Sequence, residues 1–574
     1  MKKTLITLFA LTLLHTGCKE EDFLTKVNPN TITQDTFWKS SSDYQSALTT
    51  VYGALQFPTV SGGFRLQCEE VMTDLGGTDS WYPGFTFRIL TFNDATQYVN
   101  DKWNQLYIGI FRANQVIERV QKTDLPFAKG EKEQIEAQAR ALRAFFYFDL
   151  VQTYGKGVLH TAVPKSAAEM KKPLATKEEI TAQVILPDLE YAITHLPQKW
   201  TGDDLGRTSK GMAQALLGKV YLYDKQWNKA AELFKNVIDS KVYSLVNDPM
   251  DNFTDRNEMN AESIFEVAFN GTYGTGANAA VVDDTPFTIG AESSDFASVL
   301  APLPRGGFNT LVPSYFIHEL FVADQMDPAN PVNTGRKESL RMYASIFPRR
   351  SESPYYQLDN TQTAFFNAFI SSYVKKFTNW YQFKNEDPIN NKTGINFRHI
   401  RLADVYLMYA EAILNARGEA AVDEAIQYID LVRARAGVIT LRKYMADNGG
   451  QFPQLHVSKQ VHGNQPKVAA NAANVLTHIQ RVERPLELAF EGHRWKDLKR
   501  WGITKQVYDQ LRADEVWRIN NKALFTANFP PLYIPGSNIR PDFQLASQNY
   551  NPANHDYFPI PSIEVQANDN LLGK

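Results

Sequence analysis

The stretch TSKGMAQALLGKVYLYDKQWNKAAELFKNVIDS, residues 208–240, constrains the fold more than any other part of this chain. Apolar residues recur at helical spacing in two runs, and Asp224-Lys225-Gln226 breaks them with a short polar turn. Two helices joined by so short a turn lie antiparallel and side by side. Gly218 and Ala230 are small and let the helix axes approach, while Tyr221 and Phe234 are large and fill the gap. Thr208 or Ser209 supplies the N-terminal cap.

Leu217, Gly218, Tyr221, Ala230 and Phe234 stand at the offsets of the tetratricopeptide repeat. Residues 401–437 (RLADVYLMYAEAILNARGEAAVDEAIQYIDLVRARAG) predict a second helix pair around Gly418, with longer spacing. Helical periods also run through 43–57, 102–120, 131–154 and 177–197. In the third of these, Leu142, Phe145, Phe146, Leu150 and Val151 cover most of the circumference, which predicts a buried helix stopped by Gly155. Residues 475–501 read as one more amphipathic helix, with Pro485 as a kink or a new start. Residues 58–100, rich in Gly, Asp and Thr, read as loop. So does most of 241–395, apart from short alternating segments such as Ser263–Phe269. The last 70 or so residues, rich in Pro, Asn and aromatics, read as irregular. The fold class is therefore mainly α: a tetratricopeptide-like helix-pair scaffold bearing a large irregular insertion with a few short strands.

The chain starts with Lys2-Lys3, an apolar run from Leu5 to Leu14, and then His15-Thr16-Gly17-Cys18. A charged start, about ten apolar residues and a small residue at the break describe an export signal rather than a membrane span. Cys18 after Gly17 points to a lipoprotein signal with Cys18 as the acylated first residue, although His15 stands where that signal usually carries Leu. The chain has two Cys, so acylation of Cys18 leaves Cys68 without a disulfide partner. A net charge of −3 supplies no basic field for nucleic acid. The boundaries that follow are a signal at 1–17, a lipidated tether at 18–35, and a helical scaffold at 36–240 that includes the loop region 58–100. The insertion at 241–395, helix pairs at 396–502 and an irregular segment at 503–574 complete the chain.

Catalytic signatures are scarce: there is no HExxH, no phosphate loop and no Gly-x-Ser-x-Gly elbow. Glu483, Glu487 and Glu491 share one helix face at four-residue spacing, but Arg481, Arg484 and Arg494 are interleaved, so ion pairing is the expected use. Gly274-Thr275-Gly276 lacks the helix and the acid that a dinucleotide turn needs. No His cluster has metal spacing, and His493 reads as a packed residue. No cofactor is expected; calcium is a candidate only at Asn247, Asp248, Asp251, Asp255 and Glu258, which lack a calcium-hand pattern. The ligand candidates are loop aromatics. A sugar ring has an apolar C–H face for stacking and a hydroxyl rim for polar side chains. Asp79-Ser80-Trp81-Tyr82 offers that combination between Gly76-Gly77 and Pro83-Gly84, with Arg65 and Arg88 nearby in sequence.

Four segments together resemble the SusD/RagB family of outer-membrane nutrient-binding lipoproteins from Bacteroidetes. They are RALRAFFYFDLVQTYG (140–155), TSKGMAQALLGKVYLY (208–223), RLADVYLMYAEAILNARG (401–418) and ERPLELAFEGHRWKDLKRWG (483–502). The closing YFPIPSIEVQAN (557–568) is similar to that family's last motif, and Glu20-Glu21-Asp22 after Cys18 looks like its surface-export signal. The resemblance implies helix pairs packed against a variable region that holds the ligand. By analogy it adds Tyr273, Phe308, Tyr355 and Tyr356 to the ligand candidates. It implies an outer-membrane, lipid-anchored protein facing the exterior and no catalysis. The implied partners are an oligosaccharide and a SusC-like TonB-dependent barrel over which the protein sits as a lid. Peptides are the alternative cargo, and a surface glycoside hydrolase is the alternative class.

Overall fold

The computed structural model describes residues 37–272, 292–348, 351, 353–357, 370–387, 393–524 and 540–571. Helices α1 (Ser41–Gly53), α2 (Gln97–Lys122) and α3 (Glu131–Tyr154) pack together. From Ile135 to Tyr154 every residue of α3 except Arg140 is buried, as its apolar circumference predicts. Gly155, at φ +73°, ends it by donating its N–H to the Val151 carbonyl at 3.0 Å. Helix α4 (Leu186–His195) then lies against α3 and against α5 (Lys210–Tyr223).

The pair read at 208–240 is α5 and α6 (Trp227–Asp239), and the Ser209 hydroxyl caps α5 by accepting the Met212 N–H at 3.2 Å. A Cβ on Gly218 would stand 2.7 Å from the Phe234 ring, so the small residue is what lets the two helices meet. Helices α7 (Leu402–Arg417) and α8 (Val422–Arg435) form the second pair, and α6 packs on α7 so that the pairs stack.

Three expectations are corrected. Residues 58–100 are not mainly loop: Pro58–Ser61, Gly63–Glu69 and Phe85–Arg88 are short helices, and most of 57–79 is buried. Residues 475–501 are not one helix. Ala472–His478 runs through a π-turn into Arg484–Glu487, stops, and resumes as α9 (Arg494–Trp501). Phe490 at φ +64° and Gly492 at φ +77° make the break. The segment 503–574 is not irregular throughout, because α10 (Thr504–Asn520) packs on α11 (Asp542–Asn549). The buried stripe of α10 includes Asp514, Glu515 and Arg518 beside Val507, Tyr508 and Leu511, and those charges hide its period.

Among the described residues the strands form five antiparallel pairs. Ser263–Val267 pairs with Phe397–Arg401, with Val267 opposite Phe397 and Ser263 opposite Arg401, so the two ends of the insertion are stitched together. Gly76–Gly77 pairs with Val312–Pro313, which ties the early segment to the insertion. Ile346–Pro348 pairs with Ser372–Val374.

Between scaffold and insertion lies a buried network of charges. Arg401 reaches Glu262 at 2.7 Å, Glu487 at 2.6 Å and Glu491 at 2.8 Å. Arg435 bridges Glu262 and Glu487, and Lys376 of the insertion reaches Glu491 at 2.7 Å. Arg341 and Arg433 enclose Glu483 and Asp324, while Arg484 joins Asp404 and Asp497 at 2.6 and 2.7 Å. The three glutamates are thus committed to ion pairs. Burial alone would raise the Glu487 carboxyl, but Arg435, Arg401 and Lys376 hold it at about 2. Its stabilising contribution is complete above pH 4.5 and is lost as pH falls toward 2.

Glu70 is the opposite case. Burial pushes its carboxyl from 4.5 up to about 8, and one of its oxygens has no hydrogen-bond partner. Between pH 4.5 and 8 the folded chain keeps a proton that the unfolded chain has released, so this group's contribution to stability falls as pH rises. The expected outcome is that Glu70→Gln unfolds at a higher temperature than wild type at pH 8 and at about the same temperature at pH 5. Thermal melts at the two pH values check it.

Candidate ligand-binding face

Gly63 packs the early segment tightly against the insertion. The Gly63 N–H donates to Asp295 Oδ1 at 2.7 Å, and a Cβ there would lie 2.8 Å from that oxygen. A Cβ on Gly84 would lie 2.2 Å from the Gln67 carbonyl, so only glycine fits. Between these anchors the chain turns outward. The Tyr82 N–H bonds to the Asp79 carbonyl at 3.2 Å and the Phe85 N–H to the Tyr82 carbonyl at 3.0 Å. Trp81 stands at the tip, 68% exposed. Past the turn, Phe87 stacks on Phe92 and meets Tyr98 and Phe558, which carries the C-terminal segment into the same aromatic cluster.

The structure brings Trp81 and Tyr82 together with Phe308, more than 200 residues away. The Tyr82 hydroxyl donates to the Phe308 carbonyl, and the Trp81 and Tyr82 ring centroids lie 5.7 Å apart. The Phe308 N–H donates to the Ser298 carbonyl at 2.7 Å, and the residue is 37% exposed. Leu303, on the same loop, is also exposed. Asp79 is held by Arg540 at 3.4 Å, and Arg540 is held in turn by Asp542 at 3.0 Å. Burial pushes the Tyr82 phenol upward, so it stays a hydroxyl donor at neutral pH. The result is an aromatic platform edged by a carboxylate, a guanidinium and a phenol. An apolar ring face stacks on such a platform while its polar edge exchanges hydrogen bonds with the rim.

Four candidates do not belong to this face. Arg65 is buried and donates to Glu69 at 3.3 Å and to the Val60 carbonyl at 2.8 Å. Arg88 is buried and spends its guanidinium on the carbonyls of Val71, Thr73 and Asp542, lying over the Phe543 ring. Tyr355 and Tyr356 are buried, their hydroxyls donating to the Val374 carbonyl and to Glu386. Helix rotation turns the two arginines inward although they neighbour Trp81 in sequence. Tyr273, Gly274-Thr275-Gly276 and Cys18 lie outside the described residues. His493 is buried with its ring nitrogen 3.3 Å from the Lys219 ammonium.

Three of the calcium candidates have protein partners. Asp248 caps the turn at Met250, Asp251 accepts from Asn257, and Asp255 accepts from Tyr381 and Gln382. Among the described residues no group of three or more His, Cys, Asp or Glu side chains is placed to hold a metal ion. A small cleft lined by Lys199, Trp200, Tyr243, Met259 and Glu266 does not include the platform residues. Its Lys199 donates to the Asn260 carbonyl at 3.2 Å and its Trp200 to the Thr208 carbonyl at 2.7 Å. Leu303 and Arg540 were not among the sequence candidates. The turn-rich Pro302-Leu303-Pro304-Arg305-Gly306-Gly307 was the available signal for the first.

Residues 22–222 match the family described as "Starch-binding associating with outer membrane", and residues 261–572 match the SusD family. SusD-like protein P25 of Formosa agariphila is 26% identical over 584 residues, covering 96% of this chain and 94% of that protein. A SusD-like protein of Bacteroides ovatus is 24% identical over 456 residues, covering 76% and 77%. Among solved structures, a SusD superfamily protein from Bacteroides vulgatus superposes with a TM-score of 0.71 at 23% identity, covering 93% of this chain and 98% of that one. A laminarin-binding SusD-like protein gives a TM-score of 0.64 at 24% identity, covering 92% and 97%. With more than half of its length matched by the family's sequence model, this chain belongs to the SusD family.

Proposed function

We propose that this chain is a cell-surface lipoprotein that binds a nutrient oligosaccharide and passes it to a SusC-like TonB-dependent barrel in the outer membrane. The observation that carries the reading is the exposed Trp81 beside the Tyr82–Phe308 hydrogen bond. A soluble protein gains nothing by leaving an indole in water, and a stacking partner removes that cost. A sugar fits the carboxylate, phenol and guanidinium rim. The laminarin binder among the structural neighbours and the starch-binding description of the matched family support a glycan cargo.

The reading is of binding without catalysis. Glycoside hydrolysis needs two carboxyl groups facing each other across the scissile bond. Glu483, Glu487 and Glu491 instead face arginines in the core. Among the described residues no helix is long and apolar enough to cross a membrane, so the proposed attachment is through acyl chains on Cys18. Two or more chains anchor stably, since each buried CH₂ contributes roughly 0.8 kcal/mol. A tether of that kind leaves the body free to swing, presenting its loaded face to the barrel and then opening again.

Calorimetry against a panel of glycans and peptides tests the cargo. The expected outcome is binding to at least one glycan and a loss of about tenfold or more in affinity for Trp81→Ala. The melting temperature of that variant stays nearly unchanged, because an exposed side chain contributes within about 0.5 kcal/mol to stability. Binding to peptides and to no glycan refutes the cargo. For the tether, Cys18→Ala expressed without the barrel is expected in the soluble fraction after cell lysis. Its retention in the membrane fraction counts against the anchor.

A further inference from the structure

On the Trp81 side of the platform the turn runs directly into the short helix Phe85–Arg88, whose Phe87 is buried in an aromatic cluster. The Phe308 side has a different support, built from polar groups. Loop 303–309 carries Phe308 and lies flat on the backbone of residues 385–386. The Glu386 N–H donates to the Arg305 carbonyl at 2.7 Å, and Arg305 also reaches Asn385 Oδ1 at 3.4 Å. A Cβ on Gly306, at φ +78°, would stand 2.6 Å from the Glu386 carbonyl oxygen. The loop can be this close to Glu386 only because that position is glycine.

Glu386 is itself fixed on all sides. Its carboxylate accepts the Tyr356 hydroxyl, the Asn379 N–H at 3.1 Å and Asn379 Nδ2 at 2.8 Å. Asn379 Oδ1 accepts in turn from Thr393 Oγ1 at 2.9 Å. Tyr356 and Gln357 both hold left-handed backbone, at φ +52° and +57°. Two consecutive non-glycine residues adopt that conformation only where the surroundings enforce it. Here the Tyr356 hydroxyl is held by Glu386, and Gln357 Nε2 donates to the Gln382 carbonyl at 3.0 Å.

We propose that Glu386 is a positioning residue for ligand binding: its buried carboxylate, locked by Tyr356 and Asn379, sets the height and tilt of the loop that presents Phe308 beside Tyr82. Glu386 touches no ligand. It acts through the Arg305 carbonyl and Gly306, and through them on the Phe308 carbonyl that receives the Tyr82 hydroxyl. The inference rests on the reading of this face as the ligand site.

The test is hydrogen–deuterium exchange on the full chain without ligand, comparing wild type, Glu386→Ala, Glu386→Gln and Tyr356→Phe. The amides of Gly306, Gly307, Phe308 and Asn309 are hydrogen-bonded in the fold, to the carbonyls of Leu303, Pro302, Ser298 and Ala301. In Glu386→Ala their exchange is expected to rise about tenfold while helix α3 keeps its wild-type protection. Glu386→Gln keeps an oxygen acceptor for Tyr356 and for the Asn379 N–H but sets an NH2 against Asn379 Nδ2, and its exchange is expected to rise less than that of Glu386→Ala. Tyr356→Phe removes one donor at constant shape, and an intermediate rise there supports the inference even where Glu386→Ala fails to fold. Unchanged exchange at 306–309 in both Glu386→Ala and Tyr356→Phe overturns it. So does a rise spread equally over α3, which marks a residue that only stabilises the core. Calorimetry with laminarin is the second arm, and equal affinity of wild type and Glu386→Ala also overturns the inference. Failure of wild type to bind any glycan strikes the reading of the face, and the exchange result stands apart from it.

Discussion

Arg401 is the residue on which the two halves of this molecule converge. It closes the strand pair at the base of the insertion, and its guanidinium takes three carboxylates: Glu262, just before the strand Ser263–Val267, and Glu487 and Glu491 from the C-terminal scaffold. Each of these charges is buried, and an isolated one would cost several kcal/mol to desolvate. The cost is offset only when every partner is in place. Such a network contributes less to net stability than to uniqueness, because any other docking of insertion on scaffold strands an ion in the core. Lys376 and Arg435 extend the same logic on either side.

The candidate face depends on that docking. Trp81 belongs to the N-terminal scaffold and Phe308 to the insertion, and they share one platform only if the two parts meet in a fixed register. The short pairing of Gly76–Gly77 with Val312–Pro313 sets the register locally. Arg494, which clamps Asp74 with two bonds of 2.7 Å, ties the same segment to α9. Phe558, stacked on Trp495 and packed against Phe87, brings the C-terminus into the support. A shallow platform of this kind gains affinity mainly by being pre-formed, since each hydrogen bond to a sugar replaces one to water.

The helix pairs were legible in the sequence because their contacts are local. Gly218 and Phe234 sit on consecutive helices, so a fixed spacing of small and large residues records their meeting directly. What the sequence hid was long-range. Gly63 and Gly84 look like turn residues, but they are small because backbone and side chains from other segments press on them. Helix α10 carries Asp514, Glu515 and Arg518 in its buried stripe, and a period drawn from apolar residues passes over it. Arg65 and Arg88 lie near Trp81 along the chain, but the short helices that carry them bury both side chains. Trp81 and Phe308 were both legible as loop aromatics; that one hydrogen bond joins their loops was not.

The central claim is that buried ion pairs make scaffold and insertion a single cooperative unit, so that the platform exists whenever the protein is folded. Scanning calorimetry of the wild-type chain tests this most directly. The account predicts one transition at neutral pH, with calorimetric and van't Hoff enthalpies in agreement. Two resolved transitions at neutral pH, the insertion melting ahead of the helix pairs, would contradict it.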